Sequence, residues 1–352
     1  MKNVILPVLL FFVCGFILAS QASAHPSWAI AVDSRNRIYI SDLEKVWKID
    51  ADGKVSIVAE RHTHELTLDP ADNLIGEELH YEPSTQKYTA AIWRITPGGE
   101  FSFILAPTET PPKGTGIWKN AAGATFYTGQ TETAPPEFYL LRRNADGRVK
   151  VLFGDERKAL AHRQILPYVY GGMAFAADGT VYFKNSVTIW KAAPDDKISV
   201  VADKQNLSSV APNPMFFGLA VDAENNVFTA DHNGKTILKI APDKKISAIY
   251  KSEKDWTPTG VYLRNKNLYV LENKNLPPRS NPITRVRKIA ADGKVSTVAT
   301  VGETQTNTPA NSNQNDSISA NQNQSSDKSC AGVGLALVAG LISSEICRLR
   351  FS

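Results

Sequence analysis

The sequence predicts an all-β chain, a six-bladed β-propeller of four-stranded blades with a disordered C-terminal tail. Two observations carry this: a blade-length repeat through residues 25–301, and period-two alternation broken by Asp, Asn and Gly at regular places. "WAIAVDSRNRIYISD" from Trp28 aligns without a gap on "FGLAVDAENNVFTAD" from Phe217. The second half of each unit recurs as "VWKIDADGKVSIVA" from Val46, "IWKAAPDDKISVVA" from Ile189, "ILKIAPDKKISAIY" from Ile237 and "VRKIAADGKVSTVA" from Val286. Two degenerate copies, "IWRITPGGEFSFIL" from Ile92 and "LLRRNADGRVKVLF" from Leu140, complete six.

Each unit reads as an apolar strand, an Asp or Asn turn, a β-rich strand, a loop, a third strand, an Asp-Gly-Lys turn and a last strand. The first turns are anchored at Asp33, Asp69, Asn120, Ala176, Asp222 and Leu263, and their unequal spacing is loop length. A linear β-solenoid would use shorter units and would not confine its insertions to two places in each, so a closed ring is expected. The first copy begins with its inner strand and the last ends with its outer strand. Closure is therefore expected from face packing between blades one and six.

Residues 1–24 read as a secretory signal: one lysine, an apolar run from Val4 to Leu18, then Ala22-Ser23-Ala24. The alternative, an uncleaved anchor, has a run short of the roughly 20 residues that span a bilayer. Export to the periplasm, the medium or the cell surface is expected. Cys330 and Cys347 lie beyond the repeats, so the propeller is built without disulfides. Residues 302–329 are Asn, Gln, Ser and Thr with almost nothing apolar, the composition of a disordered linker.

Residues 330–352 carry an apolar stretch from Ala331 to Ile342 and then Arg348 and Arg350, which loosely resembles bacterial sorting tails. Membrane contact through this segment is one expectation; Glu345 interrupts it, and a floppy or amphipathic end is the other. The formal charge is +4, with 39 basic residues scattered along the chain, so there is no nucleic-acid footprint. A monomer is expected.

In a propeller, the connections into each first strand and those between the second and third strands share one face of the disc. Residues from six blades converge there on a rigid scaffold. The position before each inner strand holds Trp28, His64, Thr115, Gly171, Phe217 and Thr259. The position after each second strand holds Asp42, Glu78, Gly129, Asn185, Asp231 and Glu272.

In the second blade, pairing Leu68 with Leu74 sets Leu66 opposite Gly76 and His64 opposite Glu78, close enough to touch. His62 and His64 share a side by strand alternation. Glu77 and His80 add further donors, so the stretch could hold a divalent cation or supply a histidine base oriented by a carboxylate. Ligand-binding candidates are Trp28, Asp42, His62, Asn185, Phe217 and Glu272. His64, Glu78 and His232 are the catalytic candidates, and Glu78, Asn185 and Asp231 the candidates for calcium or magnesium.

The competing account of Asp42, Asp231 and Glu272 is turn capping, because an acidic residue recurs at that place from blade to blade. Long insertions in blades two, three and six ("YEPSTQKYTAA", "TETAPPEF", "NKNLPPRSNPIT") would wall a groove. "DERKALAHRQILPYVYGG" reads as a short helix broken at Pro167 that lids the channel or covers an edge.

The units, most complete as "AVDAENNVFTAD" and "ILKIAPDKKIS" in the fifth blade, resemble the NHL repeat from Ser27 to Val301. The six-blade count resembles the wider grouping of senescence marker protein and gluconolactonase. In the gluconolactonase-like enzymes a divalent cation is held by Glu, Asn and Asp before the inner strands. At those positions here only His64 could bind a metal, so that site does not carry over.

NHL-type propellers are more often recognition platforms. Some extracellular relatives are lyases with a His and Glu cluster and magnesium, which His64, Glu78 and His232 would suit in kind. The resemblance thus implies a propeller that binds a small polar molecule, glycan or peptide, or alternatively a lyase or metal-assisted hydrolase.

Overall fold

A computed structural model describes residues 26–82, 84–85, 87–131, 135–161, 172–274 and 283–302. The predicted signal segment, the tail beyond Gly302, and parts of the blade-three and blade-six insertions lie outside the described residues. No helix among the described residues is long and apolar enough to cross a membrane.

Six four-stranded antiparallel sheets follow one another along the chain, each built from consecutive strands. Blade 1 holds β1–β4 (Ile30–Val32, Ile38–Ser41, Val46–Ile49, Val55–Ala59). Blade 2 holds β5–β8 (Thr63–Leu68, Leu74–Glu82, Lys87–Ile95, Phe101–Thr108). Blade 3 holds β9–β12 (Trp118–Lys119, Thr125–Gln130, Phe138–Arg143, Val149–Phe153), followed by helix α1 (Glu156–Ala161).

Blade 4 holds β13–β16 (Met173–Phe175, Val181–Lys184, Ile189–Ala192, Ile198–Ala202), followed by helix α2 (Lys204–Leu207). Blade 5 holds β17–β20 (Phe216–Val221, Val227–Asp231, Thr236–Ile240, Ile246–Lys251). Blade 6 holds β21–β24 (Trp256–Arg264, Asn267–Lys274, Thr284–Ile289, Val295–Val301).

The repeated turns explain the repeated hairpins. In blades 1 to 5 the first turn closes by the same amide-to-carbonyl bond four residues on, as in Asp33 to Arg37 and Asp222 to Asn226. The Asp carboxylates cap the amides inside it: Asp222 Oδ1 accepts from Glu224 N at 3.1 Å and Asn226 N at 2.7 Å. Blade 6 lacks the acid and instead pairs Arg264 with Asn267 around Asn265 and Lys266, both at positive φ (51° and 60°).

α1 covers the start of the predicted helical segment, and residues 162–171 of it lie outside the described residues. The sequence did not point to α2; Asp203 starts it with a capping box closed by Asn206. The expected loop in blade 2 is largely strand, since β6 and β7 stay paired as far as Glu82 and Lys87.

Apolar clusters lie between neighbouring blades all round the ring. Blades 6 and 1 share one that includes Ile30, Val32, Ile40, Leu271 and Val286, so the ring closes by face packing as expected. The inner strands of blades 4, 5, 6 and 1 approach through small residues. A Cβ on Gly218 would lie 2.8 Å from Val261 N and 3.0 Å from Gly260 Cα, and one on Gly260 would strike the Trp28 carbonyl oxygen.

Backbone cannot yield as a flexible side chain can. Gly260→Ala is expected to cost about 2 kcal/mol by overpacking, read as a lowered thermal midpoint, whereas Gly53→Ala in an open turn, strained only by its φ of 85°, costs less.

Candidate functional site

The upper rim is the edge where inner strands begin and second strands end. At this edge three inner strands carry a bulge. β5 pairs Thr63 with Glu78 and Glu65 with Glu77, leaving His64 as the extra residue. β21 leaves Thr259 extra between Pro258 and Gly260, and β17 is irregular between Phe217 and Ala220. A bulge interrupts alternation and re-aims the side chains around it.

The expected pairing of His64 with Glu78 is therefore corrected. The register holds at Leu68 with Leu74 and Leu66 with Gly76, and slips at His64, so Thr63 stands opposite Glu78. Glu78 is instead ion-paired to Arg61, whose Nη1 lies 2.6 Å from Glu78 Oε2. His62 and His64 do meet, edge to face with centroids 4.6 Å apart.

From there a row of rings runs across the rim. His64 lies 5.8 Å from Trp28, Trp28 lies 5.8 Å from Phe217, and Phe217 lies 5.4 Å from His232. Trp28, His64 and Phe217 are buried, while His62 and His232 at the ends are partly exposed. Burial holds both end imidazoles below their usual pKa. Glu78 and the Leu43 backbone oppose this at His62, as Asn233 and Asp231 do at His232.

The other rim residues are occupied within their own blades. Asp42 accepts from Glu44 N, Lys45 N and, at 2.6 Å, Trp47 Nε1. Asn185 caps the amides of Val187 and Thr188. Asp231 accepts from Met215 N at 3.1 Å, and burial raises its pKa.

Glu272 is fully buried. It accepts from Arg285 Nε at 2.6 Å and from Tyr250 OH at 2.9 Å, while Arg285 lies 4.1 Å above the Trp256 ring. Turn and network duties thus account for Asp42, Asn185, Asp231 and Glu272.

No group of three or more His, Cys, Asp or Glu side chains that could hold a metal ion occurs among the described residues. Glu78, Asn185 and Asp231, the expected calcium or magnesium ligands, are each tied to partners in their own blade. The positions before the inner strands offer Trp28, Thr115, Phe217 and Thr259 beside His64, with Gly171 outside the described residues. This donor set does not fit a hard divalent cation, which takes oxygen ligands.

One layer beneath the rim lies a charged cluster of which the sequence marked only Glu77, as a donor beside Glu78 and His80. Glu65 and Glu77 pair across β5 and β6, and Lys184 ends β14 in blade 4. Trp28 Nε1 donates to Glu65 Oε1 at 2.6 Å, and Lys184 Nζ donates to Phe216 O at 3.0 Å. Burial raises the Glu65 pKa, held back by the Trp28 bond and by Lys184. Burial lowers that of Lys184, held back by Glu65. Glu77 is pushed up to about 8 by burial and by the Glu65 charge.

A signal for this cluster was available. The position after the rim in the inner strands reads Ala29, Glu65, Gly116, Gly172, Gly218 and Gly260, five small residues and one glutamate. The position before the rim in the second strands reads Ser41, Glu77, Thr128, Lys184, Ala230 and Leu271, with charges in blades 2 and 4 alone.

Fold and rim together define a six-bladed β-propeller with an aromatic and imidazole row over a charged layer. No family model matches the sequence, and no curated protein matches it. Similar solved structures include XC5397 from Xanthomonas campestris, a gluconolactonase, at 17% identity and TM-score 0.49, covering 71% of this chain and 84% of that one. Virginiamycin B lyase from Staphylococcus aureus is similar at 13% identity and TM-score 0.41, covering 77% and 83%. The PQQ-bound aldose sugar dehydrogenase of Streptomyces coelicolor is similar at 12% identity and TM-score 0.46, covering 71% and 89%. These are likenesses of fold.

Proposed function

We propose that this protein is an exported recognition module that binds a small polar molecule, glycan or peptide on its upper rim. The observation that supports the reading is the row His62, His64, Trp28, Phe217 and His232, which draws rings from blades 1, 2 and 5 together. The partly exposed imidazoles of His62 and His232, at the ends of a buried aromatic row, suit a ligand oriented by a few hydrogen bonds.

Enzymatic chemistry by His64 and Glu78 is the weaker reading. The bulge parts the two residues and Arg61 holds the carboxylate. The NHL likeness of the repeats agrees with a recognition role.

A glycan and peptide array should return ligands whose binding weakens at least tenfold, about 1.4 kcal/mol, in His62→Ala and His232→Ala. Hits indifferent to both variants would remove the reading. Burial keeps both end histidines neutral at pH 7, so binding is expected to fall on acidification below the ordinary imidazole pKa of about 6.5. Titration of affinity between pH 7.5 and pH 5 reads this.

A further inference from the structure

Two carboxylates and one ammonium are enclosed beneath the rim, and the ammonium is accounted for by the first carboxylate. Lys184 acts electrostatically on Glu65. Glu77 is 8% exposed and makes no hydrogen bond or ion pair with any described residue. It shares the side of blade 2 that holds Ile75 and Ile92, which pack on Ile117 of blade 3. A bare carboxylate against such apolar neighbours is unfavourable unless it is protonated or meets a cation.

The inner strand of blade 3 has only two residues, Trp118–Lys119, and by strand direction Glu77 stands level with Thr115 and Gly116 just before it. Glu65, beside Glu77, is bonded to Trp28 of the ring row, so the carboxylates adjoin the floor of the rim.

We propose that Glu77, with Glu65, receives the protonated amine of a small ligand that enters from the upper rim and lays its remaining atoms along the ring row. This rests on the upper-rim reading and adds the charge of the ligand to it. An ammonium group needs three acceptors at most. A calcium ion takes six to eight oxygens, and two carboxylates, one already engaged, cannot supply them.

The test uses phenethylammonium against its neutral counterpart 2-phenylethanol, by calorimetry at pH 7.5 on the whole protein. Wild type is expected to bind the amine at least tenfold more tightly than the alcohol. Glu77→Gln should abolish that preference, and Glu77→Asp should keep part of it, with circular dichroism verifying the fold of each. Equal binding of amine and alcohol by wild type, or a preference untouched in Glu77→Gln, would overturn the inference and leave the rim reading standing.

Binding of neither probe overturns it too, and array hits that depend on His62 and His232 then judge the rim reading separately. Saturable calcium binding that Glu77→Gln removes, with no amine preference, would assign the carboxylates to a metal ion instead.

Discussion

Exchanging Glu77 for glutamine is expected to leave stability nearly unchanged at pH 5 and to raise it on the order of 4 kcal/mol at pH 9. In the folded chain the Glu77 pKa is pushed up to about 8, while the ordinary value is 4.5. Between these pH values the unfolded chain releases a proton that the folded chain keeps. The stabilising protonated form is thus fully present below pH 4.5, and its advantage is lost as pH rises through about 8. Glutamine mimics that form at every pH.

For a chain of this size the gain at pH 9 corresponds to roughly 10 °C in Tm. Glu65 and Lys184 titrate as a pair with opposite signs, so the difference between variant and wild type, rather than either curve alone, isolates Glu77. Urea denaturation at pH 5, 7 and 9 reads it. Parallel curves would mean that Glu77 has a partner or free access to water.

Arg285→Leu is expected to destabilise the protein by about 3–5 kcal/mol at pH 7, the cost of leaving one member of a buried ion pair without the other. Glu272 is fully buried, and Arg285 is its charged partner at 2.6 Å. Tyr250 remains as a neutral donor, with its own pKa pushed up to about 12 by burial and by the Glu272 charge.

Arg285→Leu with Glu272→Leu should recover much of the loss, since an apolar pair in place of a buried salt bridge is often neutral. Thermal melts of the single and double variants decide the cause. If the double variant is as unstable as the single, the loss lies in Arg285 packing on Trp256 rather than in the orphaned charge.

The six units, their Asp-Gly-Lys hairpins and the closure between blades 6 and 1 were legible because turn residues and period-two patterning are local properties of the chain. Turn capping by Asp42 and Asp231 was legible for the same reason, since a carboxylate at one offset from a hairpin repeats its bonds wherever the hairpin recurs. Trp28 and Phe217 were marked by alignment, and the structure brings them together.

The pairing of His64 with Glu78 failed because a bulge adds one residue without disturbing composition or spacing. Glu77 was legible only as a further donor of the blade-2 rim stretch, while Glu65 and Lys184 lie outside the rim positions that the repeat marks. Their departure from the repeat shows only when the layer beneath is aligned, and the electrostatic influence of Glu65 on Lys184 is a property of the closed ring.

Glycines 172, 218 and 260 divide the propeller mechanically. From blade 4 round to blade 1, main chain approaches main chain where the inner strands meet. Around blade 3 the inner strand is two residues long and contact passes to side chains such as Ile75 and Ile117. The inner ring is therefore held by backbone contact at three of its six blade boundaries, and Glu77 stands beside the blade with the shortest inner strand.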